Sequence, residues 1–148
     1  MISAVLWVIF ILPIASLFLL NQEVIKRYLP AALFVTVLNS ILYEIAWEEN
    51  WWRYQITLFN WDKIAPVHIV YSSYWVVTIW ILYFTFQKFW LYAVVNIIAD
   101  FLFVFTISAW MKHVGVFTGD MPMFMTGLLF ISMAMLIYIF QRWYENKN

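Results

Sequence analysis

Asp100 lies in one of the most apolar runs of the chain, VVNIIADFLF, and Asn96 precedes it by four residues. Residues four apart lie on the same face of a helix, so these two polar side chains are predicted to point in one direction. An ionisable group at the centre of a bilayer costs about 2.5–3.5 kcal/mol to insert, which favours a position facing protein or water. We therefore expect Asp100 and Asn96 to face the interior of a membrane bundle.

Two other apolar segments carry polar residues that could meet Asp100. Asn39 lies near the middle of one segment and Glu44 near its outer end, while His68 and Ser72 are four residues apart at the start of the next. Together these residues predict a polar funnel that is wet outside and narrows toward the aspartate. Glu44 and His68 would be the outer ligands or proton acceptors, and the amide and hydroxyl groups would form the lining. The predicted site residues are Asp100, Asn96, Asn39, Glu44, His68 and Ser72.

Such a funnel predicts a small binding or permeation module for a proton, a cation or a small amphiphile. In a purely structural alternative, Asp100 is protonated or hydrogen-bonded and only ties helices together. Interhelical hydrogen bonds in membranes contribute about 0.6 kcal/mol on average, less than the insertion cost, which favours a functional role. In a further alternative the chain is a non-catalytic accessory subunit, with Asp100 paired to the helix of a partner membrane protein. A homodimer is a further alternative.

The motifs of common enzymes are missing, so we predict no catalytic residue, no metal and no cofactor. Ser72, His68 and Glu44 could supply a hydrolase triad, but the chain has no GxSxG turn. It has no cysteine, no HExxH pattern and no Gly-rich phosphate loop. An enzyme acting on lipid is the least favoured hypothesis. Because the net charge is zero, no nucleic-acid partner is predicted. The acidic and imidazole groups that could converge on the outer side are His68, His113, Glu48, Glu49, Asp62 and Asp120.

The composition fixes the class of protein that must position these residues. Of 148 residues, 66% are hydrophobic and 11% charged, against about half and a quarter in soluble domains. A fold this small could not bury so much apolar surface, so its outside must face lipid. The runs are continuous rather than alternating, which indicates helices and not barrel strands. We predict an all-α, single-domain integral membrane bundle over residues 1–148, with five transmembrane helices at about 2–20, 29–47, 67–86, 89–111 and 123–140.

Basic residues predict the orientation. The first basic residue, Lys26, follows the first apolar run, which argues for a retained helix rather than a signal peptide. Five Lys or Arg residues fall on the side of the first and third connections and the C-terminus, and three on the other side. The positive-inside rule therefore predicts an outside N-terminus and a cytoplasmic C-terminus.

A resemblance to known sequences is carried by four features of the chain: KRYLP, FWLY at 89–92, the pair Trp51–Trp52, and Asn96 with Asp100. From Lys26 to the last helix the chain resembles uncharacterised small multi-span membrane proteins of spore-forming Gram-positive bacteria. The resemblance implies location in a bacterial cytoplasmic membrane and a multi-pass topology, and it implies no activity. The five-span size is also similar to that of the tryptophan-rich sensory proteins, whose WxPP-type signature is missing here.

Overall fold

The computed structural model describes residues 1–147, and Asn148 lies outside the described residues. It is helical over most of its length, with one pair of two-residue strands. A 3₁₀ turn, Leu17–Leu19, follows the first helix, and π-helical turns cover Ile69–Ser73 and Val104–Ser108. The helices are α1 (Ile2–Ser16), α2 (Gln22–Glu48), α3 (Tyr74–Thr85), α4 (Phe89–Phe103), α5 (Ala109–His113) and α6 (Met123–Lys147), and the strands are β1 (Arg53–Tyr54) and β2 (Phe117–Thr118).

Four helical segments are long and apolar enough to cross a membrane, namely Ile2–Leu19, Gln22–Glu48, Phe89–His113 and Met123–Lys147. The segment Ile69–Thr85 is apolar but shorter. At a rise of about 1.5 Å per residue it covers less than the roughly 30 Å of a hydrocarbon core. The predicted helical class is confirmed, and four helical segments have the length and apolar composition that the predicted membrane bundle requires. Helix α2 begins at Gln22, before its apolar run. The Asn21 side chain caps this start by accepting a hydrogen bond from the Glu23 amide at 3.1 Å.

Four helices form a ring in which α2 and α4 each contact both α3 and α6. On α2 the buried residues recur every three or four positions, which places one continuous stripe toward the ring interior. The larger apolar cluster, which we call the sealed core, fills one half of this interior. Its members are Tyr28, Ala31, Ala32, Val35, Ile79, Leu82, Phe86, Tyr92, Met133, Ala134 and Ile137.

Helix α1 lies outside the ring and contacts the π-helical turn that precedes α3. Pro13 has no amide hydrogen, so the carbonyl of Ile9, four residues earlier, loses its helical donor. The hydroxyl of Ser73 lies 2.7 Å from that carbonyl oxygen and can replace the missing donor, although its single hydrogen is shared with the His68 carbonyl oxygen at 2.8 Å. The hydroxyl of Ser72 donates to the next carbonyl, that of Phe10. A proline-induced gap in one helix is thus filled by serines of its neighbour.

Ionic contacts close the end of the bundle beside the sealed core, which we call the ion-pair end. The Arg27 guanidinium donates two hydrogen bonds to the Glu145 carboxylate, at 2.5 and 3.0 Å. The Gln141 amide donates to the Arg27 carbonyl and to Glu145. The start of α2 is therefore fixed to the end of α6.

The opposite end, which we call the strand end, carries the antiparallel pair β1–β2, with Arg53 opposite Thr118. Asn50, at φ +56°, ends α2, and Gly115, at φ +79°, follows α5. The Trp51 amide donates to the Ala46 carbonyl, and the Val116 amide donates to the Met111 carbonyl. Both helices thus end in the six-to-one hydrogen bond of a Schellman motif, and the chain turns sharply into the strands.

Candidate functional site

A cleft of about 100 Å³ lies among α3, α4 and α6, beside the sealed core. Its lining is largely apolar and contains one carboxyl group, that of Asp100. Its lining residues are Ile69, Ser73, Tyr74, Val77, Thr78, Ile81, Tyr92, Asn96, Ala99, Asp100, Phe103, Ala134 and Ile137. Volumes well above 10–15 Å³ hold at least one water molecule, so the cleft can accept waters or a small ligand group.

Helix α4 brings Asp100 and Asn96 to this cleft together, as the four-residue spacing predicts. Asn96 is buried and its side-chain amide donates to the Tyr92 carbonyl at 2.8 Å. Asp100 is half-buried, and its Oδ2 atom is buried with no hydrogen-bond partner in the described part of the chain. Buried polar atoms are nearly always paired in folded proteins. The unpaired oxygen is therefore the chemical feature of the cleft that needs an explanation.

The cleft is closed toward the ion-pair end by aromatic packing. The Tyr92 hydroxyl donates to the Ala134 carbonyl at 2.7 Å and so joins α4 to α6. The Tyr92 ring packs on Tyr138 at a centroid distance of 5.0 Å, and Tyr138 packs on Phe86 at 5.4 Å. These rings belong to or pack against the sealed core, so a solute in the cleft meets a continuous apolar layer.

Phe103 forms the wall on the side of the strand end. It lines the cleft and also a second cavity of about 20 Å³, which lies beneath the strands. Its ring packs on Phe130 at 6.1 Å, and Phe130 packs on Tyr74 at 5.6 Å. Three rings thus separate the cleft from the strand end.

The open side of the cleft is lateral, between α3 and α4. Val77 is 44% exposed, and Ile81, Ala99 and Asp100 are half-buried. The neighbouring surface is apolar, with Val94, Ile97, Ile98 and Leu102 exposed on α4. A ligand would therefore reach Asp100 from the side of the bundle, through surface suited to acyl chains.

The other four predicted site residues lie outside the cleft lining. Glu44 is exposed on α2. Asn39 is fully buried on α2, between the positions that enter the sealed core and those near the strand end, and neither of its side-chain polar atoms has a partner among residues 1–147. Ser72 is fully buried against α1. The structure thus joins two of the six residues in one cavity.

His68 is fully buried beneath the strand end, and neither ring nitrogen has a hydrogen-bond partner within the described residues. Its ring packs edge-on against Tyr54 at 5.9 Å. Nearby, the Asp62 carboxylate accepts hydrogen bonds from the amides of Phe59 and Val67, each at 3.0 Å, and so caps the helix that contains His68. Among residues 1–147, no three His, Asp or Glu side chains converge in a way that could hold a metal ion.

Four polar lining residues were not predicted from the sequence: Ser73, Tyr74, Thr78 and Tyr92. Tyr74 and Thr78 are four residues apart, and the Thr78 hydroxyl donates to the Tyr74 carbonyl at 2.9 Å. That spacing is the signal that could have identified them. The π-helical turns at Ile69–Ser73 and Val104–Ser108 flank the cleft, and such turns occur often at functional sites.

Comparisons of this chain with protein families, with curated proteins and with solved structures give no match. Its function must therefore be inferred from the cleft.

Proposed function

We propose that the protein is a membrane-embedded binding module that holds a small ligand in the cleft at Asp100. Of the two processes that the sequence suggests, binding and permeation, the cleft geometry favours binding. We further propose that it lies in a bacterial cytoplasmic membrane and crosses it five times, with the N-terminus outside and the C-terminus in the cytoplasm.

The buried, unpaired Oδ2 atom of Asp100 carries the proposal. A polar atom in apolar surroundings without a hydrogen bond is unfavourable by about 1–3 kcal/mol in protein mutational data. If Asp100 served to join two helices, that oxygen would accept or donate a hydrogen bond to a side chain of another helix, and no described side chain forms one. A bound ligand that contacts the oxygen removes this cost, and the open side of the cleft gives it access.

Closure of both ends supports binding rather than permeation. A conduction pathway needs polar or wet connections toward both membrane faces. In this chain the sealed core lies on one side of the cleft and the Phe103–Phe130–Tyr74 rings on the other. A ligand that enters laterally would therefore stop beside Asp100.

The lateral opening also supports a second candidate, an accessory subunit. A helix of another membrane protein could cover the gap between α3 and α4 and pair a polar group with Asp100. Polar residues that face a neighbouring helix act in this way in membrane assemblies.

Native mass spectrometry of the full chain, extracted in mild detergent, separates the two candidates. We expect wild-type protein to carry an adduct of small-molecule mass, which Asp100→Asn loses. Asp120→Asn is the matched control, because it makes the same chemical change at the strand end, away from the cleft. An adduct of protein mass, lost in Asp100→Leu, would favour the accessory subunit. Bare protein, or an adduct unaffected at Asp100, would remove the binding proposal.

Single-cysteine labelling tests the proposed orientation, because the chain has no cysteine of its own. Lys63 and Lys88 are both exposed, in connections at opposite ends of the bundle. In whole cells an impermeant thiol reagent should modify Lys63→Cys and spare Lys88→Cys. The reverse pattern would invert the topology.

A further inference from the structure

We propose that the ligand of the Asp100 cleft is a lipophilic amine, a single-chain or compact apolar molecule with one basic nitrogen. This inference rests on the proposed binding function and specifies its substrate class.

The charges of the lining select the ligand's polar group. Asp100 is the only ionisable carboxyl group among the cleft-lining residues that the structure describes, and none of them is Lys, Arg or His. A basic nitrogen of the ligand therefore has no competitor for the buried oxygen. An anionic ligand, in contrast, would meet a carboxyl group and no positive side chain.

The aromatic rings of the lining favour the same choice. Tyr74, Tyr92 and Phe103 all contribute to the cleft wall. The faces of aromatic rings attract ammonium groups, most strongly where water is excluded. The carboxyl group and the rings are therefore complementary to one kind of head group.

The size of the cleft limits what it encloses. At about 100 Å³ it is smaller than the apolar cavity of about 150 Å³ that accommodates benzene in an engineered protein. It can enclose an amine with small substituents, while a longer apolar tail would lie along the open side. Val77, Ile81 and Ala99 border that side and provide apolar contact for the tail.

The depth of Asp100 argues for an amine that crosses lipid as a neutral base. Asp100 is the twelfth residue of the 25-residue segment Phe89–His113, near the middle of a span. Lipid head groups lie about 15 Å from the bilayer centre, half the thickness of a core of about 30 Å. Their amines do not reach this depth, whereas an uncharged lipophilic amine dissolves there.

Proton transfer inside the cleft then forms the ion pair. The step starts from a neutral amine and a neutral Asp100 carboxyl group. The carboxyl group gives its proton to the amine nitrogen, whose lone pair forms the new N–H bond, and the O–H bond breaks. The products are an ammonium and a carboxylate in contact. No charge has to cross the hydrocarbon core, and no other reactant is required. The pair satisfies the oxygen that has no partner within the protein.

Equilibrium binding to the purified full chain in a neutral maltoside detergent tests this assignment. The probe is N,N-dimethyldodecylamine, with 1-dodecanol and dodecanoate as ligands of equal chain length without a basic nitrogen. We expect the amine to bind and the other two to bind much more weakly. Asp100→Asn should weaken amine binding by about 30-fold or more, since loss of one partner of a buried charge pair is costly. Asp120→Asn should bind like the wild type.

A second variant keeps the test decisive if Asp100→Asn does not fold. Ala99→Leu retains the acid and fills the open side of the cleft, and it should abolish amine binding without changing the carboxyl group. Equal binding of amine and dodecanol, both lost in Ala99→Leu, would overturn the amine assignment and leave the binding proposal intact. Amine binding that is indifferent to Ala99→Leu and to Asp100→Asn would place the amine elsewhere and overturn the assignment. Failure of the proposed function itself would appear separately, as the absence of a native small-molecule adduct.

Discussion

The two halves of the bundle interior are built differently. Toward the ion-pair end, α2, α3, α4 and α6 interlock through the sealed core, and polar groups there form bidentate and interhelical hydrogen bonds. Among residues 1–147, one buried polar atom at the ion-pair end lacks a hydrogen-bond partner, Gln141 Oε1. Toward the middle and the strand end more such atoms occur, on Asn39, Trp52, His68 and Asp100. Stabilising contacts are therefore concentrated in one half of the interior, and most polar groups that a ligand could contact lie in the other. The following variants test that division.

The largest stability effect is expected in the sealed core. Leu82 is fully buried there, and Leu82→Ala should lower the free energy of unfolding by about 2–5 kcal/mol, because a cavity remains. Val77→Ala, on the same helix but at the open side of the cleft, should cost less than about 1 kcal/mol. Thermal unfolding in detergent measures both. Equal losses would mean that the two halves are equally packed.

Gly119 tests the backbone of the strand end. Its φ is +156°, and a Cβ atom there would lie 2.1 Å from the Trp51 carbonyl oxygen. Gly119→Ala should destabilise the protein by about 3 kcal/mol, since both strain and a backbone clash result. Gly115→Ala is the matched control. The φ of Gly115 is +79°, but a Cβ atom there would meet no atom within 4 Å, so we expect a loss of stability of only about 1 kcal/mol. Equal stability of Gly119→Ala and Gly115→Ala would contradict the close approach of position 119 to the Trp51 carbonyl oxygen.

The contact of α1 with α3 can be tested by a double-mutant cycle. Ser73→Ala should cost about 1 kcal/mol, because the Ile9 carbonyl loses its replacement donor. In a Pro13→Ala background the new amide at position 13 supplies that donor, and the cost of Ser73→Ala should fall toward zero. Ser132→Ala, an exposed serine that bonds only within α6, is the control. An equal cost in both backgrounds would show that the Ser73 hydroxyl does not stabilise the protein by replacing the amide donor that Pro13 lacks.

The smallest stability effect is expected at Asp100. Its buried oxygen has no partner to lose, so Asp100→Asn should leave the unfolding midpoint equal or slightly raised, while it removes ligand binding. If Asp100 had a structural role, Asp100→Asn would lower the free energy of unfolding by about 2 kcal/mol or more, because a neighbouring group would lose its hydrogen-bond partner. Thermal melts of the ligand-free protein distinguish these outcomes.

Much of the helical architecture could be predicted from the sequence, because apolar runs of spanning length permit few other structures in lipid. The strands could not. Arg53–Tyr54 and Phe117–Thr118 are two residues long and pair across more than 60 positions, so no local periodicity marks them. The start of α2 at Gln22 was also missed, since its first turn is polar and depends on the Asn21 cap.

The candidate site was predicted only where one helix determined it. Asn96 and Asp100 share the cleft because both lie on regular α4. Helices that are apolar on every side do not reveal which face is interior, so Glu44 could not be assigned to the exposed face. Ser72 faces α1, whereas Thr78 lines the cleft, because residues six positions apart lie on different faces of a helix.

A pair of single cysteines on α3 tests the division between open cleft and sealed core most directly. Thr78 lines the cleft and Thr85 lies near the ion-pair end. Both are buried, and each donates its hydroxyl to the carbonyl four residues earlier. In the folded protein a small membrane-permeant maleimide should modify Thr78→Cys and leave Thr85→Cys unmodified, and N,N-dimethyldodecylamine should protect the former. Equal protection of both cysteines in the absence of ligand would contradict an accessible cleft at Asp100.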